Sequence, residues 1–467
     1  YAMSYENVTL PDGQPRMGLL GVNYLYNLPA DLYAGVGGYA AVKGDRGGFF
    51  TLGFDAGFHR QLLNNVRLDA GLYLGAGGAH NSHHDEGEGL MLRPHIGLEF
   101  EHNGYFYGLS YARLEYPSGT IKSNDVVANF SVPSNLTYAD FATLGHTYNK
   151  VRLDGYSFPE QQLSLNNQSY FLRSDSSKDA TVQLIGIQDR YYFKPQFFTV
   201  VSAAGAYKGQ DNGYMEAFGG LGWQPKVNLL SGLTWHSSVL LGAGGGGGAV
   251  TSGGVLMKVK TGLQYAISPR FAFDVDAGYV QAHKGDFKGY LVDAGLNYRL
   301  RFAKYSPAID EVSPLSVRTR GVTLMAQHIT YFSPQFSVAN KSGDVGLFGV
   351  NLNVFLNKNI YVGGQAASAY AGDAASYATG LLGIGYRYSF TKKWYADTSL
   401  QLGAAGGGGI AVHEGAVWQP SVGLGYNLTR DVSLQASVGR LNAFKGDLHT
   451  TSLTFGVSRN ISLIGAA

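Results

Sequence analysis

Apolar and polar residues alternate along most of this chain with a period of two, and Gly, Pro, Asn and Asp interrupt the alternation at regular intervals. Residues 65–77 show the pattern. Val66, Leu68, Ala70, Leu72 and Leu74 share one face, and Arg67, Asp69, Gly71, Tyr73 and Gly75 share the other, because successive side chains on a strand point to opposite sides. The same reading predicts eight strands in a first unit, at 3–10, 16–27, 31–43, 48–60, 65–77, 89–101, 104–116 and 121–131. A second unit repeats the plan at 164–173, 180–193, 196–207, 213–223, 231–244, 254–267, 270–283 and 287–301. A third repeats it at 320–332, 344–356, 359–371, 376–390, 393–406, 415–428, 431–443 and 447–460.

Two markers establish the triplication. A glycine-rich run follows the fifth strand of each unit, at 74–78, 241–249 and 402–409. A shorter marker lies in each second strand, at 19–22, 184–187 and 347–350. Their common order, with a period of about 160 residues, indicates an internal repeat. The units are 1–131, 164–301 and 320–467, joined by connections at 132–163 and 302–319. The first connection includes 136–144, a short-helix candidate, and reads either as a periplasmic linker or as an insert folding back into the lumen.

Composition turns the strand pattern into a setting. The chain has 467 residues, 66 Gly, 32 Tyr, no Cys and only 15% charged residues, yet 45% of it is hydrophobic. It has no run of 18 apolar residues, so no helical membrane span is predicted. Alternation with these proportions suits a transmembrane β-barrel, one face toward lipid and the other toward water. Absence of Cys fits an oxidising envelope, and a net charge of +2 gives no nucleic-acid footprint. No signal peptide is visible, and the chain reads as a mature form. Tight turns such as 267–270 and 428–431 fall on one side, expected to be periplasmic. The Gly-rich connections fall on the other, expected to be extracellular.

The whole chain resembles a bacterial outer-membrane β-barrel, in its alternating strands, its Tyr and Phe near strand ends, and its short turns on one side. The resemblance is at class level and implies the outer membrane of a Gram-negative cell, with the lipid bilayer as partner. Such barrels commonly finish on a strand with a terminal aromatic residue. Here the nearest aromatic to the 458–467 segment is Phe455.

Two closures fit three units of eight strands. One is a single 24-stranded barrel, with a backbone diameter of roughly 45–50 Å. The other is three tethered eight-stranded barrels. The small inward residues Gly71, Gly75, Ser399 and Gly403 favour the wide form, since a small barrel needs bulky or ion-paired fillers. The Gly runs are read as points of wall curvature, in preference to a smooth face for a partner's backbone.

A wide lumen implies a conduit for export or secretion of a polymer or protein, with a periplasmic or lumenal protein partner. A structural sheath or scaffold around a partner protein is the alternative, followed by a small-solute porin. Arg93, His95, Lys258, Lys260, Asp274 and Asp276 have inward parity and are the candidate pore-lining residues. His80, His83, His84 and Asp85 form the densest set of metal-ligand types. Their equivalents in the other units keep at most one His and one Glu, which favours a solvated loop. No Gly-x-Ser-x-Gly elbow occurs. His236 beside Ser238 is the nearest approach to a catalytic pair, and its equivalents are Asp69 and Asp397. No enzyme activity and no cofactor are expected.

Overall fold

The computed structural model describes residues 1–79, 83–151, 155–173, 180–209, 213–225, 228–305 and 315–466. Strands form where the alternation places them. In the first unit they are Ala2–Val8, Met17–Asn27, Leu32–Lys43, Phe50–Leu63, Val66–Gly78, Leu90–His102, Tyr105–Glu115 and Lys122–Ser131. The second unit consists of Glu160–Leu172, Ala180–Lys194, Phe197–Lys208, Met215–Trp223, Leu233–Gly245, Val255–Ala266, Phe271–Ala282 and Lys288–Arg301. The third consists of Leu315–Phe332, Val345–Phe355, Ile360–Ala371, Ala378–Ser389, Trp394–Gly406, Ala416–Asn427, Val432–Ala443 and His449–Ala466.

All three units are antiparallel, and each closes on itself. Ala2 pairs with Ser131 in the first, Gln161 with Leu300 in the second, and Val317 with Ala466 in the third. The fold is therefore three tethered eight-stranded barrels, and the single 24-stranded ring with its wide lumen does not form.

The reason lies in two of the small inward residues that favoured the wide form. Gly71 and Gly75 do not line empty space; they make room for large neighbours. The Tyr33 hydroxyl occupies the space where a side chain at Gly71 would go, and the Tyr73 ring lies over Gly75. The same device recurs across strands three and four of every barrel, where an inward aromatic lies against its glycine partner. Tyr33 faces Gly57, Phe198 faces Gly222 and Tyr361 faces Gly385, with each aromatic side chain in contact with the glycine.

Polarity is arranged as in a membrane-spanning barrel. Leu109, Val126, Val201, Leu221 and Val422 are all more than 60% exposed on the outer walls. The inward positions hold buried Glu, Asp, Arg, Lys, Gln and Asn. Among the described residues, no helix is long and apolar enough to cross a membrane.

The three barrels also pack against one another by one repeated contact. Gly89, Gly254 and Gly415 each immediately precede a sixth strand and have positive φ. A Cβ on them would stand 2.6, 2.5 and 2.6 Å from the carbonyl oxygens of Ala369, Ala41 and Ala206. These three alanines are equivalent, each near the end of a third strand. The first barrel thus leans on the third, the third on the second, and the second on the first. A head-to-tail contact that closes in this way is the geometry of a cyclic trimer, here within one chain. The glycine run at 241–249 takes part in this approach. The Gly47 N–H donates to the Ser252 carbonyl at 2.5 Å, and Gly48 abuts the backbone of Gly245 and Gly246.

At the tight-turn end, the first connection is clamped to the third barrel. Tyr138–Ala139 pairs with Ser462 and Leu463 of the last strand, and Thr147–Val151 pairs along Leu315–Phe332. Between them, the helix expected within 136–144 is a single 3₁₀ turn, Phe141–Thr143, capped by Asp140. Leu144 and Phe141 pack on the inward side chains of Phe355 and Tyr361, so the connection closes the mouth of the third barrel. Tyr156–Ser157 pairs with Lys304–Tyr305 and ties the two connections together.

Candidate functional site

Among the described residues, the densest chemistry is a layer of charge inside the second barrel. Alternation brings Arg190, Glu216, His236, Lys258, Lys260, Asp274, Asp276 and Asp293 to the inner wall from six strands, and every one is buried. Arg190 donates to Asp274 at 2.6 Å and lies 3.7 Å from Asp276. Lys260 reaches Asp293 at 2.6 Å and Asp276 at 3.2 Å. Lys258 meets Glu216 at 2.6 Å, and Glu216 also accepts from the hydroxyls of Tyr170 and Tyr214. His236 Nε2 is 2.7 Å from Asp276.

The first barrel carries a smaller version. Arg93 donates to Glu6 at 2.7 Å. Asp69 lies 3.3 Å from both His59 and His95 and accepts from the Tyr33 hydroxyl. Inside the third barrel, among the described residues, the buried charge pair is Arg387 with Asp397 at 3.1 Å. Its remaining interior is largely amide and hydroxyl, as where Thr323 donates to Asn460, which donates to Ser433.

The six inward residues singled out from the sequence are thus divided between two interiors: Arg93 and His95 in the first barrel, and Lys258, Lys260, Asp274 and Asp276 in the second. Five are held in ion pairs, and His95 Nε2 lies 3.3 Å from Asp69. Sequence reasoning passed over Arg190, Glu216, Asp293 and Glu6. The signal available was inward parity with opposite charge on non-adjacent strands. Ligand atoms of His236, Asp274 and Asp276 lie within 4.8 Å of one another, the spacing of a metal site. Arg190 and Lys260 already bear on the same carboxylates, so the group is an internal charge network. His236 is enclosed within it.

Of the metal-ligand loop, His80 and the side chains of His83 and His84 lie outside the described residues. Asp85 is described, and it ties together the loops above the first barrel. It accepts from Arg46, from Thr120 at 2.9 Å and from Gln14 at 3.4 Å. Burial works against its charge, and the hydrogen bonds from Arg46 and Thr120 outweigh that and hold the carboxyl below its ordinary value.

An apolar exterior, polar filled interiors and self-closing eight-stranded units define a β-barrel membrane protein built as three tethered barrels. No family model matches the chain, and no curated protein matches it. Among solved structures it is similar to Neisserial surface protein A, at 16% identity over 32% of this chain and 98% of that chain, with a TM-score of 0.23. It is similar to the outer membrane protein opdK from Pseudomonas aeruginosa, at 10% identity over 99% and 97% of the two chains, TM-score 0.23. It is also similar to the siderophore receptor PirA from the same organism, at 9% identity over 98% and 79%, TM-score 0.29.

Proposed function

We propose that the chain is an outer-membrane scaffold, a three-barrel unit that holds its loops and its tight-turn rim in fixed positions for protein partners. The observation that carries this reading is the buried charge layer of the second barrel. An eight-stranded barrel is just wide enough for its own side chains to fill. Passing a solute through this one means separating pairs such as Lys258–Glu216 and Arg190–Asp274, whose side chains are 1–2% exposed. Breaking one buried pair costs about 3–5 kcal/mol. The export conduit depended on a lumen that three small closures do not provide. With the interiors occupied, a periplasmic partner has the rim, not a lumen, to bind.

Planar-bilayer recording tests this. The wild-type chain is expected to insert without a lasting open state, while Lys258→Ala with Glu216→Ala, which empties part of the layer, raises conductance. A steady wild-type current overturns the scaffold and restores the small-solute porin.

A further inference from the structure

Where the second and third barrels meet at the tight-turn rim, the surface opens into a cavity of about 220 Å³. Three arginines line it. Arg270 comes from the turn before the strand Phe271–Ala282, and Arg318 and Arg320 come from the outer side of the strand Leu315–Phe332. Among the described residues no carboxylate lines the cavity, and none of the three arginines has an ion-pair partner there. Two described acids of the adjoining segments have partners of their own: Glu160 faces Arg299 and Arg301, each at 3.8 Å, and Asp140 faces Arg430 at 3.6 Å.

The site is built rather than incidental. Arg320 donates to the Tyr298 hydroxyl and lies 5.4 Å over the Tyr298 ring. The backbone next to Arg318 is fixed by the first connection, through Thr319 N–H to the His146 carbonyl and Gly145 N–H to the Thr319 carbonyl, both at 3.0 Å. Leu144, Phe271, Phe355 and Leu356 supply an apolar wall. Three separate parts of the chain meet here, and each contributes.

Its level identifies the occupant. Aromatic pairs mark the tight-turn side of the barrels: Phe271 with Tyr298 at 5.1 Å, Trp223 with Trp235 at 5.4 Å, and Trp394 with Tyr426 at 4.9 Å. Such girdles sit at the headgroup level of the bilayer. Guanidinium groups match phosphate oxygens in a planar, bidentate fashion. We propose that this cleft binds the phosphate of a phospholipid headgroup, with Arg270, Arg318 and Arg320 as donors and the first part of an acyl chain along Phe271 and Leu356. This holds whether or not any barrel conducts.

Native mass spectrometry of the full chain in detergent, with phosphatidylglycerol added, tests it. One lipid per chain is expected to remain bound. The R270Q/R318Q/R320Q variant, with folding verified by heat-modifiable gel migration, is expected to retain at least about tenfold less. Should the triple variant not fold, Arg318→Gln alone serves, since that side chain makes no hydrogen bond among the described residues. Equal retention by a folded variant and the wild type overturns the proposal. Full displacement of the lipid by millimolar inorganic phosphate also overturns it, since the site is then one for free phosphate.

Discussion

Gly254 of the second barrel lies so close to Ala41 of the first that a Cβ would stand 2.5 Å from the Ala41 carbonyl oxygen. Its φ is +90° as well, so a larger residue meets both a steric and a backbone penalty. Gly254→Val is expected to destabilise the junction by about 1–3 kcal/mol while leaving each barrel closed. Limited proteolysis reads this as faster cutting of the connections with unchanged heat-modifiable migration. Gly415→Val, against Ala206, is expected to behave alike.

Closure of the first barrel is directly testable, since the chain has no Cys of its own. Met3 faces Phe130, and Ser4 faces Asn129. Adjacent antiparallel pairs alternate between hydrogen-bonded and non-hydrogen-bonded sites, and the latter brings side chains closer. Of the double variants Met3→Cys/Phe130→Cys and Ser4→Cys/Asn129→Cys, at least one is expected to form a disulfide, seen as a mobility shift reversed by reductant. Val8→Cys with Phe455→Cys, which a single ring would unite, is expected to stay reduced.

The charge layer predicts strong non-additivity. Glu216→Gln leaves Lys258 buried without its counter-ion and is expected to cost about 3–5 kcal/mol. Adding Lys258→Met removes the stranded charge and is expected to recover much of that loss. Urea unfolding in lipid vesicles of the two single variants and the double gives the coupling. A double variant no better than Glu216→Gln contradicts the pairing.

Acid is expected to loosen the loops of the first barrel. Hydrogen bonds to Asp85 depress its carboxyl in the folded state. Its contribution is therefore complete above the unfolded value of about 3.9 and is lost as pH falls through the lower folded value. Hydrogen exchange of the loops around Arg46 and Thr120 is expected to rise below about pH 4 in the wild type. In Asp85→Asn it is expected to be raised already at neutral pH.

The strands were legible because period-two alternation survives wherever one wall faces lipid and the other a polar interior. The segment predicted at 65–77 is Val66–Gly78, and Leu72 points outward while Tyr73 is buried within. Closure was not legible, because alternation states which way a side chain points but not which strand lies beside which. Gly71 and Gly75 read as walls of a wide lumen only while Tyr33 and Tyr73 were not seen over them. Inward charge on Lys258 and Asp274 was legible from parity. Their partners Glu216 and Arg190 lie 42 and 84 residues away, a separation that no local pattern reports.

The clamp at the tight-turn end has a consequence for the order of events during folding. The segment that leads from the first barrel to the second takes its structure from Leu315–Phe332 and from Ser462 and Leu463, residues made long after it. It has no settled place until the C-terminal strand has arrived. A chain halted after two barrels carries a loose strap, open to proteases. Completion of the last barrel fastens that strap, so one late event registers that all three barrels are present.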